Sequence, residues 1–239
     1  MEIVVTKIGT RFESVRETDV LENLKDFFGT NSTILADVKD ACTEVTFKRG
    51  STILAQEDDS KTVYCLLSGE AKALLFSEDG DEVWLDEFKE GDLFGEIAML
   101  SGEPRSADIV AMSKVTVAIF SEEIFLKLME KHGTIGIRIS KMLARRVQKT
   151  TRRLFELNAL SAKGRVYAEL LRVATPVAGT DMFEIAQLPN FTVFAKKVNS
   201  TRETVSRTVN ELERMGFVKR EGHRLILTDR QSIEDLERW

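Results

Sequence analysis

A chain of 239 residues that is 43% hydrophobic and 31% charged has the composition of a soluble globular protein with one large domain or two smaller ones. No run approaches the roughly eighteen apolar residues of a membrane span, and Met1 to Gly9 lack the apolar core and cleavage site of a secretory signal, so a cytoplasmic chain with no membrane partner is expected. The net charge of −5 divides unevenly: residues 1–135 carry 14 Lys+Arg against 27 Asp+Glu, and residues 136–239 carry 20 against 12. The first part would repel polyanions and the second attract them. A nucleic-acid partner is therefore expected for the second part only, with a basic solvated face as the alternative.

Residues 1–44 read as helical and irregular, with an acidic stretch around Arg16–Asp26 and with Leu21, Leu24, Phe27 and Phe28 at helical spacing. From Val45 the pattern changes to short β-rich runs: Val45–Phe47, Val63–Leu67, Ala71–Phe76, Val83–Leu85, Ile109–Val110 and Val115–Phe120. Glycines at 50, 69, 80, 91, 95 and 102 punctuate them, and Asp79-Gly80 is a hairpin turn signal. Many short strands with glycine turns predict an antiparallel barrel or sandwich. Cys42 and Cys65 have no CxxC partner, and His132 and His223 stand alone, so buried thiols are expected and no metal centre.

One interruption of the β pattern carries chemistry. Gly95 to Ala107 reads G-E-I-A-M-L-S-G-E-P-R-S-A. Gly95 lets backbone approach a ligand, and the turn through Glu96, Ile97 and Ala98 can offer N–H groups to an anion. Arg105 can pair with a phosphate through two parallel hydrogen bonds. Glu96 can only accept, which suits a ribose hydroxyl. Together these are the parts needed to hold a sugar phosphate, and they suggest a small anionic nucleotide.

After Ser121, an expected N-cap, the chain turns helical through Glu130. A long helix is predicted from about Ile135 to Leu160. Leu143, Val147, Thr150, Leu154 and Leu157 recur at spacings of 4, 3, 4 and 3, the seam of a coiled coil. Thr150 is its polar member. On periodicity alone it either sets register or touches a ligand at the interface. Ser161 is expected to cap a helix Ala162–Ala174 that buries Leu170 and Leu171. Thr175–Asp181 reads as an exposed loop, and Met182–Gln187 as a short strand.

Asn190 to Met215 reads helix, turn, helix. Asn190 caps the first helix, whose inward side is Val193, Phe194 and Val198. Asn199 falls where a left-handed residue is needed, and Ser200 or Thr201 caps the second helix. Val205, Val209 and Leu212 face inward, which leaves Arg202, Glu203, Ser206 and Arg207 outward at the N-terminal end. That end enters the major groove in a helix-turn-helix, where Arg pairs with guanine and Glu accepts from cytosine. Lys196 and Lys197 are placed to meet phosphates. Gly216–Thr228 reads as two strands around Glu221-Gly222, a wing carrying Lys219, Arg220 and Arg224. An amphipathic hairpin with surface charges is the alternative.

Three of these segments, Phe94–Ala107, Ala144–Thr151 and Ser200–Arg207, occur in the order found in the cyclic-AMP receptor protein family of bacterial transcription regulators (the CRP/FNR class), which the chain resembles over about residues 20–230. The resemblance implies an α+β fold with three parts. These are an N-terminal antiparallel β-roll or jelly-roll cyclic-nucleotide-binding domain with preceding helices (1–134), a long dimerisation helix (135–160) and a C-terminal winged helix-turn-helix (161–239). It implies a homodimeric, allosteric DNA-binding regulator and not an enzyme. The effector would be cyclic AMP first and cyclic GMP as rival, and the operator a pseudo-palindrome with TGTGA-like half-sites.

By the same resemblance Arg105, Ser106 and the backbone of Gly95, Ile97, Ala98 and Ala107 would hold the cyclic phosphate, and Glu96 the ribose 2′-hydroxyl. Thr150 and Thr151 would meet the base, one from each subunit. Thr201, Arg202, Glu203, Ser206, Arg207, Lys196 and Lys197 would meet double-stranded DNA, and the Thr175–Asp181 loop RNA polymerase. Phe191 and Val193 depart from the polar residues usual in the family's first helix. Two rivals remain: a regulator of the same kind that is effector-independent or answers a cyclic dinucleotide or another ligand, and a regulatory subunit of an enzyme or channel. Arg105→Leu is expected to abolish effector binding with the fold largely intact.

Overall fold

The computed structural model of the chain describes residues 17–77, 80, 82–180 and 182–237. Two helices, α1 (Glu17–Phe28) and α2 (Ser32–Ala41), lead into β1 (Thr43–Phe47), β2 (Thr52–Leu54), β3 (Val63–Ser68), β4 (Ala71–Phe76), β5 (Glu82–Phe88) and β6 (Leu93–Phe94). A short helix α3 (Glu96–Ser101) interrupts the strands before β7 (Asp108–Ala111) and β8 (Val115–Phe120). The strands form two sheets, ordered β1-β8-β3-β6 and β2-β7-β4-β5. β8 runs antiparallel between β1 and β3, with Val45 opposite Val117 and Cys65 opposite Ala118. Ile53, Leu66, Phe88, Phe94, Ile109 and Val117 come from both sheets into one core, so the glycine-punctuated runs make an antiparallel β-roll. β2 and β6 escaped the sequence reading because two or three residues are too short to display alternation. Asp79 of the expected hairpin turn lies outside the described residues, as do residues 1–16. Gly80 has a φ of 81°.

β3 is buried along most of its length because its second face is covered. Leu24 and Phe28 of α1 are both buried, and the Phe28 ring lies 5.9 Å from Phe120 and 6.4 Å from Phe125. Phe125 belongs to α4 (Glu122–Lys131), whose N-cap Ser121 accepts from the Ile124 amide at 3.4 Å. At the other end of α4, His132 Nε2 lies 2.6 Å from Asp37 of α2. Lys131 and His132 together hold the Asp37 carboxyl below its usual range. Both cysteines are free thiols. Burial pushes the half-buried Cys42 up to about 11 and raises Cys65 further, which makes both poor nucleophiles at neutral pH.

The long helix α5 spans Gly133–Ala159, starting two residues before the expected position. By its contacts the chain divides into two compact units, Met1–Leu74 with Leu85–Ile139, and Leu75–Trp84 with Ser140–Trp239. In the second unit α5 is followed by α6 (Ala162–Val173), β9 (Thr175–Pro176), β10 (Phe183–Ile185), α7 (Phe191–Lys197), α8 (Arg202–Arg214), β11 (Val218–Glu221), β12 (Arg224–Leu227) and α9 (Arg230–Glu237). Its core gathers Val166, Leu170, Ile185, Phe194, Val209 and Leu225, around a sheet ordered β11-β12-β10-β9.

Three details differ from the sequence expectation. Thr175–Pro176 is no loop but pairs with β10 as the edge strand, where a proline removes no needed ladder bond. Val193 is half-buried, and the inward position beside Phe194 falls to Ala195. Helix α9 was not anticipated, although its signal is present: Asp229 accepts from the Ser232 amide at 3.0 Å, and Ile233 is fully buried. No helix among the described residues is long and apolar enough to cross a membrane.

Candidate functional site

The Gly95–Ala107 segment is built around Arg105, which is only 2% exposed. Its Nη1 donates to the Gly95 carbonyl at 2.7 Å, and its Nη2 to the Thr62 carbonyl at 2.7 Å and the Thr62 hydroxyl at 3.0 Å. Nε and Nη2 also reach the Ser60 hydroxyl, at 3.3 and 3.1 Å. The Tyr64 ring centroid lies 6.0 Å from the guanidinium. Backbone bonds from Arg105 N to Asp58 O and from Glu57 N to Arg105 O, at 2.9 and 3.0 Å, join the loop before β3 to the loop before β7. Burial lowers the Arg105 pKa, and Tyr64, Asp58 and Glu96 oppose that shift. The group stays cationic.

Ser60, Thr62 and Tyr64 were missed by sequence reasoning. Their signal is the hydroxyl-bearing run Ser60-Lys61-Thr62 directly before β3.

Gly95 sits at a φ of 83°, and a Cβ there would lie 2.8 Å from the Thr62 carbonyl oxygen and 2.9 Å from Arg105 Nη1. Glycine is needed on both counts. Glu96 opens α3 and is fully buried. Ala98 is buried, Ser106 is exposed, Ala107 is half-buried, and Ile97 stands 45% exposed. Because α3 has six residues, its first-turn amides supply donors but little dipole, and the cation beside them is Arg105. The structure also corrects one expectation: with its guanidinium holding two backbone carbonyls, Arg105 cannot be truncated without cost to the fold.

On α5 the expected seam is a solvent-facing apolar stripe. Val147 is 65% exposed, Leu154 60% and Leu157 39%, with Phe155 beside them at 64%. Leu143 is half-buried, and Thr150 and Thr151 are both exposed.

In the helix-turn-helix, the Asn190 side chain accepts from the Thr192 amide at 2.8 Å. Asn199 adopts the left-handed conformation, with a φ of 47°. Thr201, not Ser200, caps α8 by accepting from the Thr204 amide at 3.1 Å. Val205, Val209 and Leu212 are fully buried. Arg202, Glu203 and Arg207 are exposed on the opposite side, and Ser206 is half-buried. Glu203 and Arg207 pair with each other one turn apart, which pre-orients both.

Lys196 pairs with Glu82 at 2.8 Å, and the Lys197 ammonium lies 5.9 Å from the Trp84 ring centroid. The departure at Phe191 has a physical reason: the Arg220 guanidinium of the wing lies 5.4 Å above its ring while also donating to Asn210 at 2.7 Å. A polar residue at 191 would forgo that contact.

Comparison with known proteins agrees with this arrangement. Residues 44–132 match the cyclic nucleotide-binding domain family, and residues 164–236 match the Crp-like helix-turn-helix domain family. A cAMP-activated global transcriptional regulator CRP of Pasteurella multocida is 31% identical over 179 residues, 74% of this chain and 86% of that protein. A CRP-like cAMP-activated global transcriptional regulator of Mycobacterium tuberculosis is 23% identical over 90% of this chain and 97% of that protein. Among solved structures, a CooA mutant from Carboxydothermus hydrogenoformans superposes with a TM-score of 0.74 at 17% identity, covering 91% of this chain and 95% of that one. The c-di-GMP responsive global regulator CLP of Xanthomonas campestris superposes with a TM-score of 0.69 at 18% identity, covering 82% and 99%. The β-roll, the long helix, the winged helix-turn-helix and these matches together make the chain a member of the CRP/FNR family, a DNA-binding transcription regulator with a cyclic-nucleotide-binding domain and not an enzyme.

Proposed function

We propose that the protein is a cytoplasmic homodimer that binds a pseudo-palindromic, TGTGA-like operator under allosteric control of a cyclic mononucleotide, cyclic AMP in the first place. The observation that carries this reading is the buried Arg105 beside Gly95 and Glu96. The guanidinium is held by two carbonyls and by the neutral hydroxyls of Ser60 and Thr62. A cyclic phosphate would exchange those hydroxyls for an anionic acceptor, and a charge-assisted bond is about twice as strong as a neutral one. Ser106, which is exposed, would add a hydroxyl to the phosphate. Glu96 would accept from the ribose 2′-hydroxyl, an interaction that a 2′-deoxy analogue lacks.

The exposed stripe Val147, Leu154, Leu157 supports a second copy of α5 as its cover, since heptad-spaced apolar residues are stable only when paired. Thr150 and Thr151 lie along the same helix, where the base would touch both copies. Nucleotide that binds one dimer arrangement better shifts the population toward it, and a tenfold shift needs only about 1.4 kcal/mol. Two α8 helices then present Arg202, Glu203, Ser206 and Arg207 to half-sites one turn apart, with Thr201, Lys196 and Lys197 toward phosphates. The Thr175–Asp181 segment is the proposed contact for RNA polymerase, by family resemblance.

Cyclic GMP is the rival effector, because threonine hydroxyls donate or accept and do not decide between purines. The likeness to the c-di-GMP responsive CLP fold favours a cyclic dinucleotide as the second reading. Calorimetric titration with cyclic AMP, its 2′-deoxy analogue, cyclic GMP and cyclic di-GMP tests the assignment. Tightest binding by cyclic AMP, weakened in the 2′-deoxy analogue, is expected. Silence with both mononucleotides at millimolar concentration would overturn it.

A further inference from the structure

The turn between α7 and α8 has an unusual set of hydrogen-bond partners. Helix α7 ends at Lys197, and the carbonyls that follow its last turn have no partner within the helix. Here guanidinium groups take three in succession. Arg153 of α5 donates through Nη2 to the Lys197 carbonyl at 2.8 Å. Arg165 of α6 donates through Nε to the Val198 carbonyl and through Nη2 to the Asn199 carbonyl, both at 2.8 Å. The third arm of the Arg165 fork, Nη1, donates at 3.0 Å to the Leu160 carbonyl, in the link between α5 and α6.

A second tie runs parallel. Glu156 of α5, only 7% exposed, takes both oxygens to Arg172 of α6 at 2.6 Å, and Arg172 also pairs with the buried Glu169. Guanidinium groups on backbone carbonyls thus join the end of α5, the start of α6 and the recognition turn, and the Glu156–Arg172 pair ties α5 to the last turn of α6.

We infer that Arg153 and Arg165 are positioning residues that fix the recognition helix to the end of α5, so that this end of α5 and the helix-turn-helix move as one piece. Neither side chain belongs to the outward face of α8. Their effect on DNA passes through the carbonyls of residues 197–199 and the left-handed Asn199 that sets the angle of α8. A lysine cannot replace Arg165, since one ammonium does not span three carbonyls in a fixed planar fork.

The inference rests in part on the DNA-binding dimer proposed above, so the test has two arms. In the first, full-length wild type, Arg165→Lys, Arg153→Gln and the double variant are titrated with cyclic AMP, a non-specific duplex and pseudo-palindromes whose half-site separation is varied by one base pair. Loss of hydrogen bonds from a charged donor predicts that Arg165→Lys loses about tenfold in operator affinity and tolerates altered spacing, while nucleotide and non-specific DNA affinities stay at wild-type values. A purely structural role would lower all three together. Unchanged spacing preference in every variant overturns the proposal.

The second arm needs no DNA. Spin labels on cysteines introduced at Gln148 and Arg214, in a Cys42→Ser background diluted with unlabelled protein, report the α5–α8 distance within one chain. A narrow distribution in wild type that broadens in the variants is expected. Equal widths in wild type and variants overturn it. A wild type that binds no palindrome sinks the functional reading, and the label distances still decide this one.

Discussion

Replacing Arg105 by leucine removes a cation that serves the fold and, in the proposed function, the ligand, and the two losses can be separated. The Gly95 and Thr62 carbonyls each lose a charged donor at 2.7 Å. A buried acceptor left without a partner costs about 1–3 kcal/mol. Burying the leucine returns part of this, about 1.5–3 kcal/mol for a full side chain relative to exposure. With both orphaned carbonyls and the lost hydroxyl contacts of Ser60 and Thr62 counted, a net loss of about 2–4 kcal/mol is expected. In a chain of this length each kcal/mol corresponds to about 2–4 °C, so the melting temperature should fall by about 4–16 °C.

Ligand binding should fail more severely. Removing one partner of a buried charge pair costs about 2–5 kcal/mol, a hundredfold or more in most of that range. Thermal denaturation and calorimetric titration with cyclic AMP measure the two separately. Arg105→Lys keeps the charge but not the fork, and should recover part of the stability and little of the affinity. A melting temperature within about 2 °C of wild type would refute the structural half of the reasoning. Nucleotide affinity within about threefold would refute the functional half.

Gly95→Ala should lose about 2–4 kcal/mol of stability, because its Cβ meets the Thr62 carbonyl at 2.8 Å and the residue must keep a positive φ; an unchanged denaturant midpoint would contradict this. Leu154→Glu places a charge on the exposed stripe of α5, and sedimentation should find a monomer at concentrations where the wild type is dimeric. Persistence of the dimer would move the interface elsewhere. Arg202→Ala should cost about 1–3 kcal/mol of discrimination at one base position and leave nucleotide binding intact, as gel shifts on single-substituted operators can measure. Equal loss on every sequence would make Arg202 a phosphate contact.

Most of the architecture was legible because its signals are local. The β runs Ala71–Phe76 and Val115–Phe120 have the boundaries of β4 and β8, and the spacing of Leu143, Val147, Thr150, Leu154 and Leu157 marks a stripe that is exposed in the single chain from Val147 onward. Asn199 shows its left-handed role because few residues other than glycine accept it. What stayed hidden depends on distant segments meeting. Nothing local to Ser60 or Thr62 says that Arg105, more than forty positions on, would donate to them. The Thr175–Pro176 strand exists only because β10 lies beside it. The grip of Arg153 and Arg165 on residues 197–199 is likewise invisible to periodicity, which marks the apolar faces of helices and not the partners of their charged residues.

The proposed control of DNA binding runs from nucleotide at Arg105 and Glu96 through α5 and α8. It is tested most directly by measuring operator affinity of the full-length protein with and without saturating cyclic AMP, at fixed salt, for wild type and Arg105→Lys. Cyclic AMP should change the wild-type affinity at least about tenfold, a coupling of about 1.4 kcal/mol, and the variant should bind operator equally with and without nucleotide. Equal operator affinity with and without nucleotide in the wild type would contradict it.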